Sequence, residues 1–129
     1  GSKEAIVPSS KGPIALFCME SPDVWFMDYV DVVIGSSRQA LQSIDPLFLQ
    51  AIEPETLKVG SVSCSHPVPI GAVIREGVLQ VTAGPCVVAN TATIQLMGIR
   101  KGCADMRFAP RSEEQMRNNN ERWRHLSGV

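Results

Sequence analysis

Four sets of side chains in this sequence could do chemistry. Glu20, Asp23, Asp28 and Asp31 crowd into one short stretch, and paired carboxylates are what glycosidic cleavage uses. Their spacing lacks the DxDxDG of a calcium loop. Acids at this density also guard a strand edge against strand addition. Asp28 stands out because its neighbours at even spacing are apolar, so a buried Asp28 needs a partner, such as an arginine of the basic tail. Cys64 and His66, at i and i+2, share one side of a strand and could mimic a Cys/His dyad or half a metal site. Structural zinc needs four ligands and no second pair is spaced to complete it, so a hairpin end beside Pro67 and Pro69 is the simpler reading. Arg100, Lys101, Arg107 and Arg111 form a basic cluster, expected to be without interleaved aromatics. That points away from nucleic acid and toward an anionic glycan or lipopolysaccharide phosphate, with packing against acids as the commoner use. Trp25 and Trp123 could stack on sugars, but their large apolar area favours a core or subunit-interface place.

None of the sequence signatures GxSxG, HExxH, P-loop or dinucleotide fingerprint occurs, and nothing calls for a metal or cofactor. The expectation is a non-catalytic protein. Hydrophobic residues are 44 % and charged residues 19 % of the 129, enough apolar material for one core and too much for a disordered chain. No apolar run reaches membrane-span length, and no signal peptide opens the sequence. A net charge of −1 gives no overall attraction for nucleic acid. The charge is segregated, however. Seven acids lie between Glu20 and Glu55 with Arg38 the one base, whereas Arg100 to Arg124 holds seven bases. Acidic body and basic tail can attract one another within or between chains. The four cysteines, Cys18, Cys64, Cys86 and Cys103, lack a CxxC pair and are expected as reduced thiols, three of them in apolar strand-like surroundings.

These groups need elements to hold them. Gly1-Ser2 reads as a tag remnant, and residues 3–13 as a linker rich in Pro, Gly and Ser. A short strand is expected over Ile14–Met19. Val24–Ile34 should be a strand apolar on both faces, hence covered on both sides by a second sheet or another subunit. Arg38–Ile44 is its expected return partner after the Gly35-Ser36-Ser37 turn. Asp45-Pro46 starts one helical turn, and Leu57–Ser65 is the next strand. Ile70–Ala83 is a hairpin around Glu76-Gly77, with Ile70, Ala72 and Ile74 answered by Leu79, Val81 and Ala83. Cys86–Val88 and Thr91–Ile99 close an all-β fold, a β-sandwich or flattened barrel over 14–102. The remainder, 103–129, is a basic loop and a short C-terminal α-helix. Ser112 to Gln115 has the form of a capping box. In the helix Met116, Asn119, Trp123 and Leu126 repeat at threes and fours, a heptad seam too narrow to hold a short helix alone. His125 is expected to face solvent.

The stretch Phe17-Cys-Met-Glu-Ser-Pro-Asp-Val-Trp-Phe26 resembles a β-structured module of phage tail-fibre and tail-spike proteins and of trimeric bacterial surface fibres. Members read CMESPEVWFEDFG, then DP-x-F, then an apolar strand closed by Arg-Lys-Gly. Here these are Cys18–Tyr29, Asp45-Pro46-Leu47-Phe48 and Ile99-Arg100-Lys101-Gly102. The sequence departs from the pattern at Met27, where members prefer an acid, and at 64–69, where many carry a TPxGD-like hairpin.

The resemblance implies a structural or adhesive domain of a homotrimer, on a virion tail or at a cell surface, with no catalytic residue to carry over. On this reading Trp25, Met116, Asn119, Trp123 and Leu126 form the trimer interface. Arg100, Lys101, Arg107 and Arg111 meet a bacterial surface glycan or other receptor. No nucleic acid and no membrane insertion are expected. The alternative is a monomeric carbohydrate-binding module attached to an enzyme, with Trp25 or Trp123 in a shallow groove. A third is a glycan hydrolase or a self-cleaving fibre chaperone.

Overall fold

The structure is a computed structural model that describes the backbone of residues 4–126 and the side chains of residues 5–121. Eight strands are present: β1 (Glu4–Val7), β2 (Ile14–Phe17), β3 (Trp25–Ile34), β4 (Gln39–Ser43), β5 (Lys58–Cys64), β6 (Ile70–Arg75), β7 (Val78–Ala83) and β8 (Asn90–Ile99). Helix α1 (Pro46–Ala51) and a 3-10 turn (Pro54–Thr56) separate β4 from β5, and α2 (Glu113–Leu126) ends the described chain. The fold is all-β with one short C-terminal helix, as the alternating strands predict.

Two antiparallel three-stranded sheets, ordered β3-β8-β5 and β4-β7-β6, face one another. Their inner faces supply the core: Val32 and Ile34 from β3, Ala92, Ile94 and Leu96 from β8, and Leu79, Val81 and Ala83 from β7, with Ile44 at one end. Leu79, Val81, Ile94 and Leu96 are fully buried, and burying such a side chain stabilises by about 1.5–3 kcal/mol. The hairpin forms in the expected register, Ile70↔Ala83, Ala72↔Val81 and Ile74↔Leu79. Glu76 and Gly77 both take positive φ (53° and 75°), the geometry of a type I′ turn. In β5, Val59 and Val62 are both half-buried although their spacing is odd. A bulge at Gly60 shifts the register between them, and a Cβ there would strike Gln95 and Met97.

Four sequence expectations are corrected. β4 pairs with β7, not with β3. The turn after β3, with Arg38 at φ 61°, carries the chain across to the opposite sheet, where the Arg38 carbonyl accepts the Ala83 N–H at 2.9 Å. Cys86–Val88 is not a strand. Residues 84–89 must cross back from β7 in one sheet to β8 in the other, and Val87 lies fully exposed. The stretch read as a linker holds β1, which pairs with β2 along Glu4↔Phe17 to Val7↔Ile14. Finally, Cys18 and Cys86 are exposed rather than apolar-packed, and all four cysteines are free thiols.

The segment after β4 closes one end of the sandwich. Asp45 caps α1, its Oδ1 accepting the Leu47 N–H at 2.9 Å. Ile52, fully buried, sits over Gly98, where any Cβ would collide with it. The Glu53 N–H donates to the Ile99 carbonyl at 2.8 Å, and the Lys101 N–H to the Ala51 carbonyl at 2.9 Å. These bonds fix the point at which the chain leaves β8 for the basic loop.

Candidate functional site

A cleft of about 590 Å³ lies between the Glu20–Val24 segment and the loop after β8, lined by Glu20, Ser21, Pro22, Val24, Met106, Phe108, Ala109 and Arg111. Successive turns shape its loop wall: Cys103 N–H to the Arg100 carbonyl, Met106 N–H to Cys103, and Ala109 N–H to Met106, at 2.9–3.2 Å. Gly102, at φ 84°, begins the loop, and its N–H donates to Glu53 Oε1 at 2.7 Å. The walls are joined twice. The Phe108 N–H donates to the Pro22 carbonyl at 2.9 Å, and Arg107 Nη1 donates to Asp23 Oδ2 at 2.7 Å. Among the described residues, this ion pair joins the acidic body to the basic tail.

Phe108 sits between Arg107 and Arg111, so the basic cluster carries an interleaved aromatic, contrary to expectation. The Arg107 guanidinium lies 4.9 Å from the Phe108 ring centroid, and Phe108 as a whole is 74 % exposed. An exposed aromatic face beside apolar Pro22, Val24 and Met106, with Glu20 and Arg111 among the polar lining, suits a sugar ring: C–H groups on the aromatic, hydroxyls on the polar groups. The signal in the sequence was the Arg-Phe-Ala-Pro-Arg run itself.

The four basic residues divide. Arg107 is committed to Asp23, so it anchors the cleft rather than offering a free charge. Arg111 lines the cleft, with Nη1 donating to the Pro110 carbonyl at 2.8 Å. Arg100 lies with its guanidinium 5.8 Å from the Phe26 ring, and Lys101 is exposed.

Of the proposed interface residues, Trp25 is half-buried beneath Lys58, whose Nζ is 4.6 Å from the ring centroid. Met116 and Asn119 lie exposed on α2, and every described side chain of that helix is exposed. The side chains of Trp123, His125 and Leu126 lie outside the described residues. Ser112 and Gln115 do form the full capping box: Ser112 Oγ accepts the Gln115 N–H at 3.1 Å, and the Ser112 N–H donates to Gln115 Oε1 at 2.8 Å.

The remaining candidates are held by structural bonds. Asp28 Oδ1 accepts the N–H of the neighbouring Tyr29 at 2.9 Å, and among the described residues no arginine pairs with it. Asp31 Oδ1 accepts from Thr93 Oγ1 at 2.6 Å. Cys64 Sγ donates to the His66 carbonyl at 3.0 Å rather than meeting the imidazole, and no metal-binding cluster of His, Cys, Asp and Glu occurs among the described residues. The residue that organises this turn is Asn90, 1 % exposed. Its Oδ1 accepts from the His66 N–H and Ser65 Oγ, and its Nδ2 donates to the His66 carbonyl, at 2.9–3.1 Å. Nothing in the spacing marks Asn90, because its partners, the His66 backbone and the Ser65 hydroxyl, lie some two dozen residues away.

No family model matches this chain, and neither a curated protein nor a solved structure matches it.

Proposed function

We propose that this chain is a non-catalytic domain of a homotrimeric fibre, of the phage tail-fibre or bacterial surface-fibre kind, and that each copy displays one adhesive cleft. The supporting observation is the apolar surface that a single copy leaves bare. In the β1–β2 hairpin Ile6 is 70 % and Leu16 52 % exposed, and on the outer face of β3 Tyr29 is 60 % and Val33 66 % exposed. Helix α2 carries Met116 and the heptad spacing, and every described side chain of it is exposed. Surfaces of this kind mark protein interfaces, and a heptad seam finds cover on copies of itself about a symmetry axis.

The cleft beside Phe108 is the adhesive site in this reading, taking a bacterial surface glycan or a receptor of similar chemistry. Such a domain works on a virion tail or at a cell surface. No helix among the described residues is long and apolar enough to cross a membrane.

Light scattering at micromolar concentration tests the assembly. Three copies of the 14.0 kDa chain give about 42 kDa, the expected mass for the closed assembly. A monomer overturns the fibre reading, and a monomer that binds a defined glycan puts the carbohydrate-module alternative in its place.

A further inference from the structure

β3 is the longest edge strand of the sandwich, at 10 residues, and the acids that would guard it, Asp28 and Asp31, are engaged within the sheet by the Tyr29 N–H and Thr93 Oγ1. The Arg100 N–H donates to the Val24 carbonyl at 2.8 Å, so even-numbered residues of β3 turn their backbone groups to β8 and odd-numbered ones turn theirs outward. Of the outward groups, the Tyr29 N–H is taken by Asp28. Beyond it, the N–H groups of Asp31 and Val33 face no strand among the described residues. The other edges carry the usual protection. β5 has the Gly60 bulge and Lys58, while β4 and β6 are short, at 5 and 6 residues against 10 for β3.

The β1–β2 hairpin has the complementary need. It belongs to a sheet of two strands, which is marginal in water without a third element. Its register places Ala5, Val7, Ile14 and Leu16 on one face and Ile6, Ala15 and Phe17, with Glu4 at the end, on the other, so one face is wholly apolar and the other largely so. A four-residue strand presents two outward residues along one edge, the number that Asp31 and Val33 offer.

We propose that the β1–β2 hairpin of one copy adds to the β3 edge of a neighbouring copy at Asp31–Val33. This inference rests on the homotrimer reading and names its contact. The contact is head-to-tail, so it closes into a ring when the rotation per copy is one third of a turn. Backbone pairing supplies the affinity, and the hairpin's apolar side chains extend the face formed by Tyr29 and Val33.

Amide hydrogen exchange on the native protein, read beside its mass, tests this. The expected result is a trimer in which the Asp31 and Val33 amides exchange about a hundredfold more slowly than open amides. In the Ile14→Ser, Leu16→Ser double variant that protection should vanish, while the β7 amides stay protected to show that the sandwich is intact. A trimer with fast exchange at Asp31 and Val33 overturns the hairpin contact and leaves the fibre reading standing. Protection that survives in the double variant also overturns it. A monomer with protected amides means that the hairpin closes on its own chain, and a monomer of any kind defeats the fibre reading too.

Discussion

Two hairpins of similar make-up meet opposite fates. β6–β7 and β1–β2 are both antiparallel, both short and both rich in Ile, Val, Leu and Ala. In the first, Leu79 and Val81 are fully buried; in the second, Ile6, Leu16 and Phe17 are more than half exposed. The difference lies in what stands opposite. β7 faces β8 across the sandwich, whereas the described chain provides β1–β2 with no third strand and no facing sheet. Hydrophobic patterning therefore specifies which surface needs cover without specifying what supplies it.

Truncation at matched positions should break or confirm the contrast. Leu79→Ala should destabilise the sandwich by about 2–5 kcal/mol, since it leaves a cavity in close-packed surroundings. Leu16→Ala in the dissociated chain should fall within about 0.5 kcal/mol of the parent. Urea unfolding followed at tryptophan reads both. Equal losses would mean that β1–β2 is core after all.

Asn90→Ala comes next in size. It strips the buried partner from both backbone groups of His66, an expected loss of about 1–3 kcal/mol, with faster exchange of the His66 amide as the local sign. A smaller effect is expected from Ser112→Ala. Loss of the cap should weaken α2 by about 1 kcal/mol, seen as reduced ellipticity at the helix band, while the sandwich keeps its unfolding midpoint.

The same contrast explains how far the sequence could be read. The β6–β7 hairpin was legible to the residue because alternation and a Glu-Gly turn are local signals, and so was the Ser112–Gln115 cap. Pairing of β4 with β7 was not, because the choice of sheet is made by crossovers at 35–38 and 84–89 that carry no periodicity. The Arg107 part of the site was legible as charge segregation. Its commitment to Asp23 depends on the loop turns that bring positions 23 and 107 together, which spacing alone does not encode. Phe108 was in plain view between two arginines.

The central claim is that other copies of this chain cover the apolar surface a single copy leaves bare. Peroxide oxidation of the methionines at micromolar concentration tests it most directly, because Met19, 97 % exposed, is an internal standard for Met27 at 57 % and Met116 at 59 %. The account predicts that Met27 and Met116 oxidise at least about tenfold more slowly than Met19, as thioethers packed in an interface do. Oxidation of all three at one rate would contradict it.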